Sequence, residues 1–434
     1  MLRTTALLAL GLPIAVLADP LPSANAVFPA ASQVEIELGW QLFYDPILSG
    51  NKTVSCATCH HPRLGTGDGL SLGLGDGGTG LGTDRIIDAQ NPPEQRIPRN
   101  APALWNLGAV EFDTFFHDGR LQDDPSRPSG IRTPLGTEME MGFDNALAAQ
   151  AMFPVLSGDE MAGHYSENDV AQAVRQGFIT GEGGAWDILA QRVAALPEYR
   201  AGFETLNGAG SNIAFHDIAN AMAAFITFEW RADNSPFDAY LRDGAPLSDD
   251  ASAGMELFYG KANCSSCHAG LFQTDHDFHA IAMPQIGPGK AARFERHNRD
   301  VGRGRVTGAE DDFYRFRTPS LRNITETGPY GHGGAYATLE AVVRHHLDPV
   351  SALNAYDATQ ALLSDGDFTN DTTLMQNGTE VAAIAKANEL DPVDLNDAEV
   401  ASILAFLAAL TDYDSLNGRL GVPKSVPSGI PVDQ

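Results

Sequence analysis

Cysteine is scarce: four residues in a chain of 434, at positions 56, 59, 264 and 267. All four sit in two CxxCH motifs, "SCATCHH" and "NCSSCHA", so none is left for a structural disulfide. Exported chains usually use cysteine for disulfides; here something else takes it. Positive charge is scarce too, with 28 Lys and Arg against 56 Asp and Glu, a formal net charge of −28. Phosphate binding needs clustered Lys and Arg, so nucleic acid is excluded as a partner. The acidic surplus suits a basic protein partner, or plain solubility. Long apolar runs are also missing. The run Leu7–Leu17 is too short to span a bilayer. With Arg3 before it and Val16-Leu17-Ala18 after it, the run predicts a secretory signal, residues 1–18, cleaved near Ala18. The exported chain is then expected to have no membrane span.

CxxCH is the attachment signature of c-type haem. Two thiols form thioethers to the porphyrin, and the next histidine is held beneath the iron. A zinc site wants four ligands in a closed tetrahedron, and a redox dithiol needs no histidine there. The motifs assign Cys56, Cys59 and His60 to one haem, and Cys264, Cys267 and His268 to a second.

The repeat extends beyond the motifs. "LGWQLFYDP" precedes the first and "GMELFYGKA" the second. Each half also carries a late apolar helical pattern, "DIANAMAAFITF" (217–228) and "NDAEVASILAFLAAL" (396–410). In the latter, Asn396 and Glu399 have capping-box spacing, and Val400, Ile403, Leu404 and Leu407 share a face. The expected fold is mostly α-helical: two cytochrome c-like haem domains with long ordered loops, 19–245 and 246–434. The boundary lies near the turn-rich "LRDGAPLSDDAS".

An electron-transfer haem needs a second axial ligand. "ATLEAVVRHHLDP" predicts a helix from about Thr338 to before Pro349. Leu339, Val342, Val343 and His346 share its apolar face, while His345 lies off that stripe. His346 is therefore the candidate ligand, and bis-histidine ligation gives a lower potential than His/Met.

The sequence resembles the bacterial di-haem cytochrome c peroxidases and their MauG-like relatives, from about Val34 to Leu410. The resemblance is carried by "LFYDPILSGNKTVSCATCHHP", "PRNAPALWN", "FFHDGR", "TEMEMG", "CSSCHAGLF" and "RTPSLRNITETGPYGHGG". It implies a periplasmic enzyme whose N-terminal haem meets peroxide and whose C-terminal haem passes electrons. Glu140, before Met141-Gly142, matches the family's acid–base glutamate, with Glu138 as neighbouring runner-up. Asn100, Thr327 and Pro329 match the family's ligands for one Ca2+ between the haems. Family members are often homodimers.

Three positions depart from the family pattern. Sixteen residues after His60, where reductively activated peroxidases carry a displaceable histidine, stands Asp76; no histidine occurs between His61 and His117. The first haem is thus expected to be open without prior reduction. The residue before Asp118-Gly119-Arg120 is His117 instead of the usual inter-haem tryptophan, with Trp105 a candidate substitute. Fourteen residues after His332, where typical peroxidases have methionine and MauG tyrosine, stands His346. His279 matches a Phe-His pattern of MauG-like members and is given no role. The arginines from Arg293 to Arg305 are candidates for neutralising haem propionates.

Three functions follow. The first is a periplasmic peroxidase reducing hydrogen peroxide with electrons from a small cytochrome c or cupredoxin. The second is a MauG-like enzyme using peroxide to oxidise residues of a protein substrate. The third is a non-enzymatic di-haem electron carrier, which Glu140 and the absent distal histidine disfavour.

Overall fold

A side chain at Gly39 would begin 1.9 Å from the carbonyl oxygen of Ala221, and one at Gly254 would begin 1.8 Å from that of Ser402. In this computed structural model, which describes residues 21–23, 25–290, 298–366 and 368–434, these two glycines are the crossing points of two equivalent helix pairs. The helix Gln33–Tyr44 crosses Phe215–Glu229, and Asp249–Phe258 crosses Asp397–Ala408. Glycine lets the backbones touch, and an aromatic then fills the space beside each crossing. Phe43 and Tyr44 pack on Phe225 with ring centres 5.3 and 6.3 Å apart; Phe258 and Tyr259 pack on Phe406 at 5.1 and 6.1 Å. The sequence repeat is thus a structural repeat. The chain is mostly helical, 38% helix against 5% strand, so the loops bearing the CxxCH motifs are held by helix pairs and not by a sheet. Among the described residues no helix is long and apolar enough to cross a membrane. The expected signal segment 1–18 lies outside the described residues.

The helix ends follow the local chemistry. Asn396 and Glu399 form the expected capping box: Asn396 Oδ1 accepts from the Glu399 N–H, and Glu399 accepts from the Asn396 N–H. Val400, Ile403 and Leu407 are buried as expected, but Leu404 is only half-buried. Phe406 is fully buried in its place, because the face toward Gly254 is turned by the close crossing. Thr338 caps the helix Leu339–Leu347, its hydroxyl accepting from the Ala341 N–H. The helix Pro236–Asp243 stops at Gly244, which has the positive φ that favours glycine. A short linker then runs to Ser248, the cap of the next helix.

The two halves are joined through buried charge. Arg99 meets Asp118 at 2.9 Å and Asp300 of the second half at 2.7 Å. Arg322 meets Asp238 at 2.8 Å, both fully buried. The tail returns to the first half. Trp40 Nε1 donates to Gly421 O, Ser428 N–H donates to Asp45, Thr58 Oγ1 donates to Asp433, and Arg63 donates to Gln434 O. Leu420, Val422, Val426 and Val432 pack on the first core.

Candidate functional site

The first CxxCH begins on a single helical turn, Cys56–Cys59. Thr58 Oγ1 accepts from the Ser55 N–H and closes the N-terminus. Both cysteines are half-buried, and desolvation pushes each thiol up to about 12, and that of Cys264 likewise. Such surroundings suppress the thiolate that redox dithiols depend on. No pair is joined as a disulfide.

His60, His268 and His346 share one arrangement. Each places Nδ1 on a backbone carbonyl: Thr66 at 2.9 Å, Gln273 at 3.0 Å and Val342 at 2.7 Å. Each is pushed toward the neutral form by burial, His268 to about 4 with His346 adding to the effect. A neutral imidazole with Nδ1–H so occupied presents Nε2 as a metal ligand. The rings of His268 and His346 face each other with centres 6.4 Å apart. An iron held between these two rings would take one nitrogen from each. The adjacent His345 is more deeply buried than the apolar stripe implied. The helix has two inward flanks, and His345 takes the second. Its Nδ1 meets the Tyr336 hydroxyl at 2.9 Å and its Nε2 the Ile281 carbonyl at 2.8 Å, so both nitrogens are taken.

Tyr44 Oη, Trp105 Nε1 and Trp230 Nε1 are buried in the first core without a protein hydrogen-bond partner, although such groups normally find partners.

Asp76 is a staple of the glycine-rich loop. It is buried and accepts from Asn51 Nδ2 at 2.6 Å and from the Thr53 hydroxyl. Gly75 lies against the Asp159 carbonyl, and Arg85 donates to the carbonyls of Gly75 and Gly80. His61 is fully buried, its Nδ1 accepting from the Arg63 N–H at 3.2 Å. In the same loop Asp68 is pushed up to about 7 by burial, though it accepts from the Leu70 N–H. The folded chain therefore binds this proton more tightly than the unfolded chain. Stability from this group is full below about pH 4 and is lost as pH rises toward 7. Asp68→Asn is expected to flatten that slope and to stabilise at pH 8 by on the order of a few kcal/mol. Thermal unfolding at pH 5 and pH 8 checks it; equal slopes in both proteins would contradict it.

Glu140 is half-buried, and its Oε1 accepts from the Gly181 N–H at 3.0 Å. Glu138 is exposed. The loop bearing Glu140 is fixed by residues that sequence reasoning missed. Asn220 donates to Gly142 O at 2.8 Å and accepts from the Asp144 N–H at 3.0 Å, while His216 packs against Gly142. The signal was present: Asn220 is a polar residue inside an apolar helical run.

Asn100 donates from its side chain to Leu70 O at 2.8 Å, and from its backbone to His332 O at 2.9 Å. Gly65 lies against the Glu326 carbonyl, next to Thr327. The loop after the first anchor, the Asn100 segment and the segment bearing Thr327 and Pro329 therefore meet. His117 is half-buried beside them, Nε2 3.2 Å from Asn100 O, and is pushed down to about 3 by desolvation, with Arg99 and His332 adding. His332 stacks on Phe316, ring centres 3.7 Å apart. Trp105 instead packs edge-on against Trp230 within the first core. Arg299 pairs with Glu380, and Arg303 donates to the carbonyls of Asp118 and Gly119, so protein atoms already hold both. Arg293 lies outside the described residues. His279 sits between Asp275 and Glu389, at 2.8 and 3.6 Å.

Comparison with known proteins agrees with this architecture. The family "Di-haem cytochrome c peroxidase" matches residues 33–245. The methylamine utilization protein MauG of Methylorubrum extorquens is 30% identical over 335 residues, 76% of this chain and 71% of that protein. Cytochrome c551 peroxidase of Nitrosomonas europaea is 30% identical over 326 residues, 75% of this chain and 76% of that one. The diheme peroxidase BthA of Burkholderia thailandensis has the same fold, with a TM-score of 0.59, 20% identity, and 96% and 97% of the two chains covered. Two CxxCH motifs, each on a short turn that follows the first helix of a crossing pair and consistent with two c-type haems, thus accompany extended sequence similarity, and the chain belongs to the di-haem cytochrome c peroxidase and MauG family.

Proposed function

We propose that the protein reduces hydrogen peroxide to water in the periplasm, taking electrons one at a time from a small cytochrome c or cupredoxin. The observation that carries this is the difference between the two anchors. His268 faces a second imidazole at 6.4 Å, whereas the loop that delivers a histidine to the first anchor in reductively activated relatives is stapled by Asp76. One closed and one open iron suit electron entry and peroxide chemistry respectively. Cys56, Cys59 and His60 would hold the first haem; Cys264, Cys267, His268 and His346 would hold the second. Asn100 and the carbonyls of Thr327 and Pro329 offer the oxygen ligands that Ca2+ prefers. Bound haem supplies the redox equivalents. Glu140 takes the proton from one peroxide oxygen and returns it to the departing one. Two electrons and two protons then convert each peroxide to two waters.

Steady-state turnover with peroxide and a reduced small cytochrome c, without pre-reducing the enzyme, tests this reading. Donor oxidation is expected from the first cycle, and the resting ferric protein should show one high-spin and one low-spin haem. Two low-spin haems, or a lag removed only by pre-reduction, would overturn the open site. Slow donor oxidation with persistently oxidised haems would favour the MauG-like reading, in which a partner protein is the substrate. The non-methionine second ligand supports that alternative, and His117 in place of tryptophan weighs against it.

A further inference from the structure

We propose that Arg317 binds a carboxylate of one of the haems at the seam between the two halves and holds that haem's reduction potential up. This rests on two haems being bound and not on peroxide turnover. Arg317 ends the strand Phe316–Arg317, which pairs with Phe278–His279 just after the second anchor. Its backbone N–H donates to His117 O at 2.8 Å, and its Nε to Phe116 O at 3.4 Å, both from the first half. Its Nη1 reaches Thr318 O at 3.3 Å. The guanidinium lies half-buried between the two halves, with carbonyls as its partners.

The other arginines buried at or near this seam differ. Arg96 meets Asp371, Arg99 meets Asp118 and Asp300, Arg120 meets Asp118, and Arg322 meets Asp238. Among the described residues, no carboxylate meets Arg317. Burial alone pushes it down to about 10, so it remains a cation at neutral pH. A partly desolvated charge without a counter-charge is unfavourable. Carbonyl dipoles answer only part of it. The missing anion is one that the polypeptide does not provide, and haem carries two carboxylates. Guanidinium is matched to a carboxylate by its planar fork. A cation fixed there disfavours the ferric state and so raises the potential.

The test uses the holoprotein with both haems attached. Arg317→Gln is expected to keep two haems per chain while the midpoint potential of one haem falls. That potential should also become pH-dependent between pH 5 and 8, as the carboxyl deprived of its cation titrates. Arg317→Lys keeps the charge but not the fork. It should hold the potential near wild type while shifting the propionate bending band of one haem in resonance Raman spectra. Unchanged potentials and pH profiles in Arg317→Gln would overturn the proposal. Should that variant fail to assemble, an unchanged propionate band in Arg317→Lys would overturn it equally. Neither readout depends on peroxidase activity, so a failed peroxidase reading and a failed Arg317 assignment are distinguishable.

Discussion

Glu140→Gln is expected to lower kcat/KM for hydrogen peroxide by about 10²–10⁴-fold, the usual worth of a positioned acid–base group. Glutamine has the same shape, and its side-chain oxygen can still accept from the Gly181 N–H. The loop is pinned independently by Asn220. What the substitution removes is the ability to take up and return a proton. Haem spectra and both midpoint potentials should therefore stay at wild-type values while peroxide turnover collapses. Glu138→Gln is the control. Glu138 is exposed, and its replacement should change kcat/KM no more than a few-fold. An equal loss in both variants would place the effect in the charge of the loop instead of a proton-moving carboxylate. No loss in Glu140→Gln would remove that residue from the chemistry.

His346→Ala is expected to convert the second haem from low spin to high spin and to stop electrons entering from the donor. His346→Met should keep the iron six-coordinate and raise its potential, by part of the roughly 0.8 V range that axial ligands span. The choice of His346 over its neighbour rests on hydrogen bonds. His345 has both ring nitrogens engaged, by Tyr336 and Ile281; His346 has one engaged and faces His268. Electron paramagnetic resonance of the ferric protein checks both variants. A low-spin signal for the second haem that survives in His346→Ala would show that another side chain holds the iron.

The parts of the fold legible in the sequence are those set by local spacing or local repetition. CxxCH states its own ligands, the box at Asn396 states where a helix starts, and two matching Gly-x-x-Leu-Phe-Tyr segments announced the repeated helix crossing. Periodicity failed where an element buries more than one flank. A single apolar stripe cannot describe the helix Leu339–Leu347, which turns His346 toward one partner and His345 toward another. Nor could it show that Phe406, and not Leu404, fills the crossing. Residues whose work depends on distant partners were not legible at all. Asn220 holds the Glu140 loop across 78 residues. Arg317 is distinctive only once the carboxylates of its neighbours are seen. Trp105 is in the sequence only a candidate substitute for the inter-haem tryptophan, and its edge-on contact with Trp230 depends on a partner 125 positions away.

The returning tail bears on how such a protein is made. Thioether formation needs both thiols of a CxxCH motif exposed on an accessible strand of chain. Here residues 428–434 reach Asp45, Thr58 and Arg63, which flank the first motif. A docked tail covers the approach to that motif, so attachment there is expected to precede docking of the tail, which turns a reactive segment into a covered one.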